Sequence, residues 1–334
     1  MKCFLAIFFL SAFVLLSQPE AETYTSIEEA LKEPEKVESL NLYNQGLKSI
    51  PESLASLINL KTLILSANPD MDFEKAFEVI SKLETLTILD LSFNDMKELP
   101  SAITDLENLE ILELDDNSRL DMKDVFEKIS DLPKLRELWL SGNNLTDLPE
   151  DITAMENLNS LWLNKNPKMN WTSLFNKLVK LEGLETLMLI EDELTTLPDN
   201  IVKLKSLKSL ALGANPKLDF KKEFEKIAQL ENLEKLYLFT NKMKELPASI
   251  TKLKNLKEID LGENPDIDYS KAFDLLSTLP SLQSLWIQFN SLDKMPDTIG
   301  KLKNLKELGL MNNNFSDDEL DRIQKMLPDT KLVY

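Results

Sequence analysis

LTILDLSFNDMKELPSAITDL, residues 86–106, returns 49 positions later as LRELWLSGNNLTDLPEDITAM, residues 135–155. Both carry the frame L-x-x-L-x-L-x-x-N followed by L-P-x-x-I. Slid along the chain, that frame matches at Val37, Leu60, Leu86, Leu109, Leu135, Leu158, Leu184, Leu207, Leu233, Leu256, Leu282 and Leu305. The spacings alternate 23 and 26, so the unit is a 49-residue pair, and six pairs from Val37 reach position 330 of 334. A chain of this length would ordinarily make about two domains. The repeat leaves no room for a second.

Alternating leucines such as Leu138 and Leu140 point to one side of a short strand and the residues between them to the other. One such strand cannot bury its leucines alone, but stacked neighbours share a continuous core. The asparagines at 68, 94, 117, 143, 166, 215, 241, 264, 290 and 313 end the strands, where an amide both donates to and accepts from a buried turn. Gln45 and Asp192 break this column. An ionised Asp192 accepts but cannot donate, which predicts a local irregularity in its turn.

The other side of each repeat alternates too. In the 23-residue copies Pro51, Pro100, Pro149, Pro198, Pro247 and Pro296 each precede, by three positions, Leu54 or an isoleucine, which predicts extended or 3₁₀ segments. The 26-residue copies carry the helix N-caps Asp72, Asp121, Asn170, Asp219 and Asp268 before apolar residues at helical spacing, with Phe77, Phe126, Phe175, Phe224 and Phe273 at one offset. Two capping boxes, Ser26 with Glu29 and Ser316 with Glu319, predict short helices closing the ends. The second helix turns Leu320, Ile323 and Leu327 inward and leads to an edge strand at 331–334.

These runs resemble the leucine-rich repeat family, and the L-P-x-x-I tail is most similar to its bacterial and intracellular-type subclasses. The resemblance implies an α/β fold: a right-handed solenoid, or horseshoe, with a parallel sheet on the concave face. Short helices then alternate with extended or 3₁₀ segments on the convex face. It also implies protein recognition rather than catalysis, by analogy of fold.

Residues 1–21 read MKCFLAIFFLSAFVLLSQPEA: one basic residue, then an apolar run from Cys3 to Leu16 that is shorter than the ~20 residues a membrane span needs. The expectation is a cleavable export signal, leaving a cap at 22–36, twelve repeats over 37–314 and a second cap at 315–334. The mature chain would hold no cysteine and no membrane span, and would be secreted, periplasmic or at the cell surface, as a monomer.

Composition narrows the chemistry. The chain has no histidine, one cysteine and seven glycines. Histidine-based triads and histidine-liganded zinc are excluded, and no glycine-rich phosphate loop is present. No catalytic residue, cofactor or metal ligand is assigned. With 38 basic against 57 acidic side chains, the net charge of −19 repels nucleic acid.

Positions that face away from the core are free of scaffold duty. There Trp139, Trp162, Met188, Ile190, Tyr237, Phe239, Trp286 and Phe289 suggest a solvent-facing recognition patch for a protein or peptide, since such residues are enriched at hot spots. Small Ala211 and Gly213 predict a dip able to receive a partner side chain. Asp90, Glu113, Asp115 and Asp116 border the patch and would steer a basic partner. An alternative is a cell-surface glycan binder with tryptophans stacked on sugar rings. Sugar hydrolysis would need an enclosing pocket that raises a carboxyl pKa, which an open sheet is not expected to supply.

Overall fold

In the computed structural model residues 22–334 are described; the expected export signal lies outside them. The chain divides into two compact units, Met1–Met169 and Asn170–Tyr334.

In the first unit, strands β1 (Thr23–Tyr24), β2 (Ser39–Asn41), β3 (Thr62–Ile64), β4 (Ile88–Asp90), β5 (Ile111–Glu113), β6 (Glu137–Trp139) and β7 (Ser160–Trp162) pair in parallel in chain order. Helix α1 (Ile27–Ala30) closes its end, and α2 (Phe73–Ile80) and α3 (Met122–Ile129) alternate with 3₁₀ turns at Glu52–Ser56, Ser101–Asp105 and Glu150–Ala154. In the second unit, β8 (Thr186–Met188), β9 (Ser209–Ala211), β10 (Lys235–Tyr237), β11 (Glu258–Asp260), β12 (Ser284–Trp286), β13 (Glu307–Gly309) and β14 (Lys331–Val333) form the corresponding parallel sheet. Its helices are α4 (Trp171–Leu178), α5 (Phe220–Ile227), α6 (Tyr269–Leu276) and α7 (Asp317–Met326).

All five expected N-caps accept a backbone N–H two or three residues on. The helix phenylalanines and the leucine or isoleucine after each proline are fully buried between sheet and outer wall. The wall is also clipped to its neighbours. Leu197, just before Pro198, donates its N–H to the buried Glu223 carboxylate, and its C=O accepts from Lys226 Nζ. Asp124 with Lys128 holds Leu99 in the same way, and Glu319 with Arg322 holds Met295.

The asparagine column is a ladder between repeats. Asn117 Oδ1 accepts the N–H groups of Asn94 and Met96 in the preceding repeat, at 3.0 and 3.1 Å. Its Nδ2 donates to the carbonyls of Leu91 and Leu114. Asn215, Asn264 and Asn313 repeat the pattern. Members such as Asn94 and Asn241 accept one amide rather than two, because the 26-residue copies before them bend differently, with Met71 N–H closing on Asn68 C=O. Each bond is worth about 1 kcal/mol net, and an orphaned buried amide costs about 1–3 kcal/mol.

This ladder sets the backbone as well. Two left-handed residues flank the column position in every 23-residue copy, as at Phe93 (φ +59°) and Asp95 (+52°), and one precedes it in every 26-residue copy, as at Ala67 (+59°). Only Gly46 and Gly142 meet this demand with glycine.

Three expectations change. The turn at Asp192 is regular: Glu191 and Glu193 have φ of +61° and +52°, and Asp192 N–H donates to Asn215 Oδ1 at 3.1 Å. Asn215 on the next repeat holds that turn, so the residue at 192 need not. Neither capping box closes on itself. Ser316 Oγ accepts from Glu319 N–H, but the Glu319 carboxylate turns to Met295 N–H and Arg322, and the Glu29 carboxylate pairs with Lys32. Strand β1 was not expected; Gln45 Nε2 reaches Thr25 C=O at 2.7 Å beside it, a span that suits a longer side chain than asparagine.

Restoring the missing donor by Asp192→Asn should raise stability by about 1 kcal/mol in denaturant unfolding, whereas Asn241→Asp should lower it by about 1–3 kcal/mol. Equal effects of the two would contradict the ladder.

Candidate functional site

The strands position the candidate residues in columns on the sheet face opposite the leucines. In the first unit, register aligns Asp90, Glu113, Trp139 and Trp162 on neighbouring strands. The Trp139 and Trp162 rings stack with centroids 4.0 Å apart and planes 14° from parallel. Trp139 Nε1 donates to Glu137 Oε1 at 2.8 Å, which locks the ring along the sheet. Asp90 accepts from Ser66 Oγ and from Ser92 N–H, and Asp115 from Ser141 N–H at 2.6 Å.

In the second unit Met188, Ala211, Tyr237, Asp260, Trp286 and Gly309 share a column. Trp286 Nε1 donates to Glu258 Oε1 at 3.1 Å and its ring covers Gly309, so closely that a Cβ there would sit 2.1 Å from it. Asp260 accepts from Gly262 N–H and Gln288 Nε2.

This arrangement corrects the expectation of a solvent-facing patch. Trp139 and Trp162 are 6% and 4% exposed, and Met188, Ile190 and Phe239 are also buried; Tyr237, Trp286 and Phe289 keep partial exposure. The rings lie along the sheet against adjacent strands instead of standing on it. The expected dip at Gly213 is filled by the Phe239 ring, 2.5 Å from where a Cβ would be. Apart from the C-terminal Tyr334, the aromatic side chains that protrude among the described residues are Tyr43 and Phe93, at 56% and 53% exposure. Neither belongs to the patch expected from the sequence. The signal lies in their small neighbours: Ser66, Ala67 and Ser92 cannot cover them.

The face is acidic, and burial changes its titration. Burial, then the charges of Asp90, Asp115 and Glu137, pushes Glu113 well above the usual carboxyl range. Burial raises Asp115 to about 7 against the opposing Ser141 amide, and raises Asp260 to about 7 against Gly262 and Gln288. Asp116 is raised by burial and held back by Lys165. Tyr237 is raised by burial and by Glu258 and Asp260. Raised carboxyls were not expected on an open sheet; packing between flat side chains supplies the desolvation. Among the described residues no three carboxylates converge to hold a metal ion, and no helix is long and apolar enough to cross a membrane.

A family profile for paired leucine-rich repeats matches residues 133–186. A leucine-rich-repeat protein of Leptospira interrogans is similar in structure, with 26% identity and a TM-score of 0.54 over 94% of this chain and 100% of that one. An internalin of Listeria monocytogenes is similar in fold, with 22% identity and a TM-score of 0.53 over 91% and 88%. No curated protein matches. The chain is a leucine-rich-repeat protein with an open α/β solenoid fold. Stacked repeats of this kind present extended surfaces suited to protein interaction.

Because Asp115 and Asp260 bind their protons more tightly folded than unfolded, their stabilising contribution is full below pH ~4 and is lost as pH rises through about 7. Lowered carboxyls such as Glu319 act oppositely, but only as pH falls below their ordinary value. The thermal midpoint should therefore fall from about pH 5 to about pH 8, and Asp260→Asn should flatten part of that slope. An unchanged slope in the variant would refute the assignment.

Proposed function

We propose that the protein is an exported, non-enzymatic recognition module that binds a protein or peptide partner on the sheet face. The observation that carries this reading is the Trp139–Trp162 stack, fixed by Glu137 on the side of the sheet that the repeat core does not occupy. The two rings are nearly covered, so they act as a rigid floor beneath the face, and the contact area comes from what stands out of it, Tyr43 and Phe93. Trp286, tethered by Glu258, supplies the same element in the second unit. The apolar run at residues 3–16 supports export through a cleaved signal, to the exterior, the periplasm or the cell surface. Catalysis is left without a histidine or a cysteine nucleophile in the exported chain.

Affinity capture on the protein, with Trp139→Ala/Trp162→Ala as control, tests the reading. Removing the stacked floor under the face should weaken the captured partner at least about tenfold. Retained affinity in the double variant would place binding elsewhere, and quenching of tryptophan fluorescence by glycans, with no protein captured, would favour a sugar ligand.

A further inference from the structure

The acidity of this chain is not evenly spread. Residues 22–169 hold 14 basic against 30 acidic side chains, a net of −16, whereas residues 170–334 hold 23 against 26, a net of −3. Within the first unit the sheet face adds a second asymmetry. Arg136 is drawn to Glu110 and Glu137, and Lys165 acts on Asp116. Only carboxylates act on Glu113, and neither it nor Asp115 has an ion pair among the described residues. Burying like charges together without a cation is unfavourable, and a cation brought by a partner would relieve it.

Beside this cluster stand exposed aromatics. Of the exposed large apolar side chains among the described residues, Tyr43 and Phe93 belong to this face, about two strands apart at ~4.8 Å per strand. Ser66 and Ala67 form a low floor between them. Phe93 N–H bonds to Asp115 C=O, which sets its backbone beside the segment that carries the carboxylates. The scaffold does not ask for an aromatic there: the same position one pair later is Gly142, and Phe93 keeps a left-handed φ of +59° that a glycine would adopt without strain. An independent vacancy lies on the same face. Trp162 Nε1 is a buried donor with no acceptor, unlike its counterparts in Trp139 and Trp286.

We propose that the partner segment is cationic: a lysine- or arginine-bearing stretch of protein that lays its aliphatic stems on Tyr43 and Phe93 and its charges over Glu113, Asp115 and Asp116. Long basic side chains suit such a site, because their stems cover apolar surface while their heads seek carboxylates and ring faces. This assignment rests on the protein-recognition reading and narrows it to one partner chemistry and one unit.

The test is fluorescence anisotropy with a labelled oligolysine peptide, with oligoglutamate as comparison. Two charge-matched variants separate a docking site from bulk attraction: Glu113→Gln/Asp115→Asn/Asp116→Asn on the face, and Glu78→Gln/Glu98→Gln/Glu107→Gln at exposed sites elsewhere in the same unit. Both remove three carboxyl groups; burial holds Glu113 and Asp115 partly protonated in the free protein, so the face variant removes the smaller free charge, and a larger loss of binding there reports the site and not bulk attraction. The face variant should weaken oligolysine at least about tenfold and the other less than about twofold, with Phe93→Ala also weakening it severalfold. Equal loss in the two variants, or no oligolysine binding at all, overturns the proposal. If oligolysine fails while the tryptophan double variant still loses a captured partner, the recognition reading stands and only the cationic assignment falls.

Discussion

A buried side-chain amide decides the backbone of this protein. At the end of a strand, an asparagine accepts turn amides from the repeat before it and donates to carbonyls of both repeats. A repeat satisfies its own turn only in part, and the asparagine of its successor supplies the rest. This ties the strand register, the left-handed residues and the spacing of the outer wall to one interaction. It also accounts for the scarcity of glycine: the bonds to the next repeat hold Phe93, Glu191 and Thr240 in conformations that glycine would reach unaided.

The scaffold was legible because its constraints recur. Asp72, Asp121 and Asp219 cap helices wherever the 26-residue frame puts them, and Ile103 and Ile201 are buried wherever a proline precedes them by three. The sheet face was less legible, because no repeat constrains it. Position told that Trp139 and Trp162 avoid the leucine core, but not that they would stack and lie down. That outcome depends on the side chain one strand away, a pair separated by 23 residues. Gly213 under Phe239 and Gly309 under Trp286 show the same dependence, small beside large across neighbouring strands.

The Asp192 turn shows the limit of reading residues singly. A carboxylate stands there in place of the column amide, yet the backbone bonds that shape the turn come from Asn215, one repeat later. Flat packing of aromatics and carboxylates likewise changes electrostatics that composition alone describes as a uniform −19. Burial raises Glu113, Asp115 and Asp260, and most of the excess acid falls in residues 22–169. Scaffold and surface are therefore linked: the turn held by Asn117 is the one that presents Phe93 beside the carboxylates.

Residue-resolved hydrogen exchange in Asn117→Ala tests the central claim most directly. Under conditions where the chain stays folded, the amides of Asn94 and Met96 should lose protection by about 10–100-fold, the equivalent of about 1–3 kcal/mol. Those of Asn241 and Met243, held by Asn264, should not change. Unaltered protection at Asn94 and Met96, or an equal loss at both pairs, would contradict the dependence of each turn on the repeat that follows it.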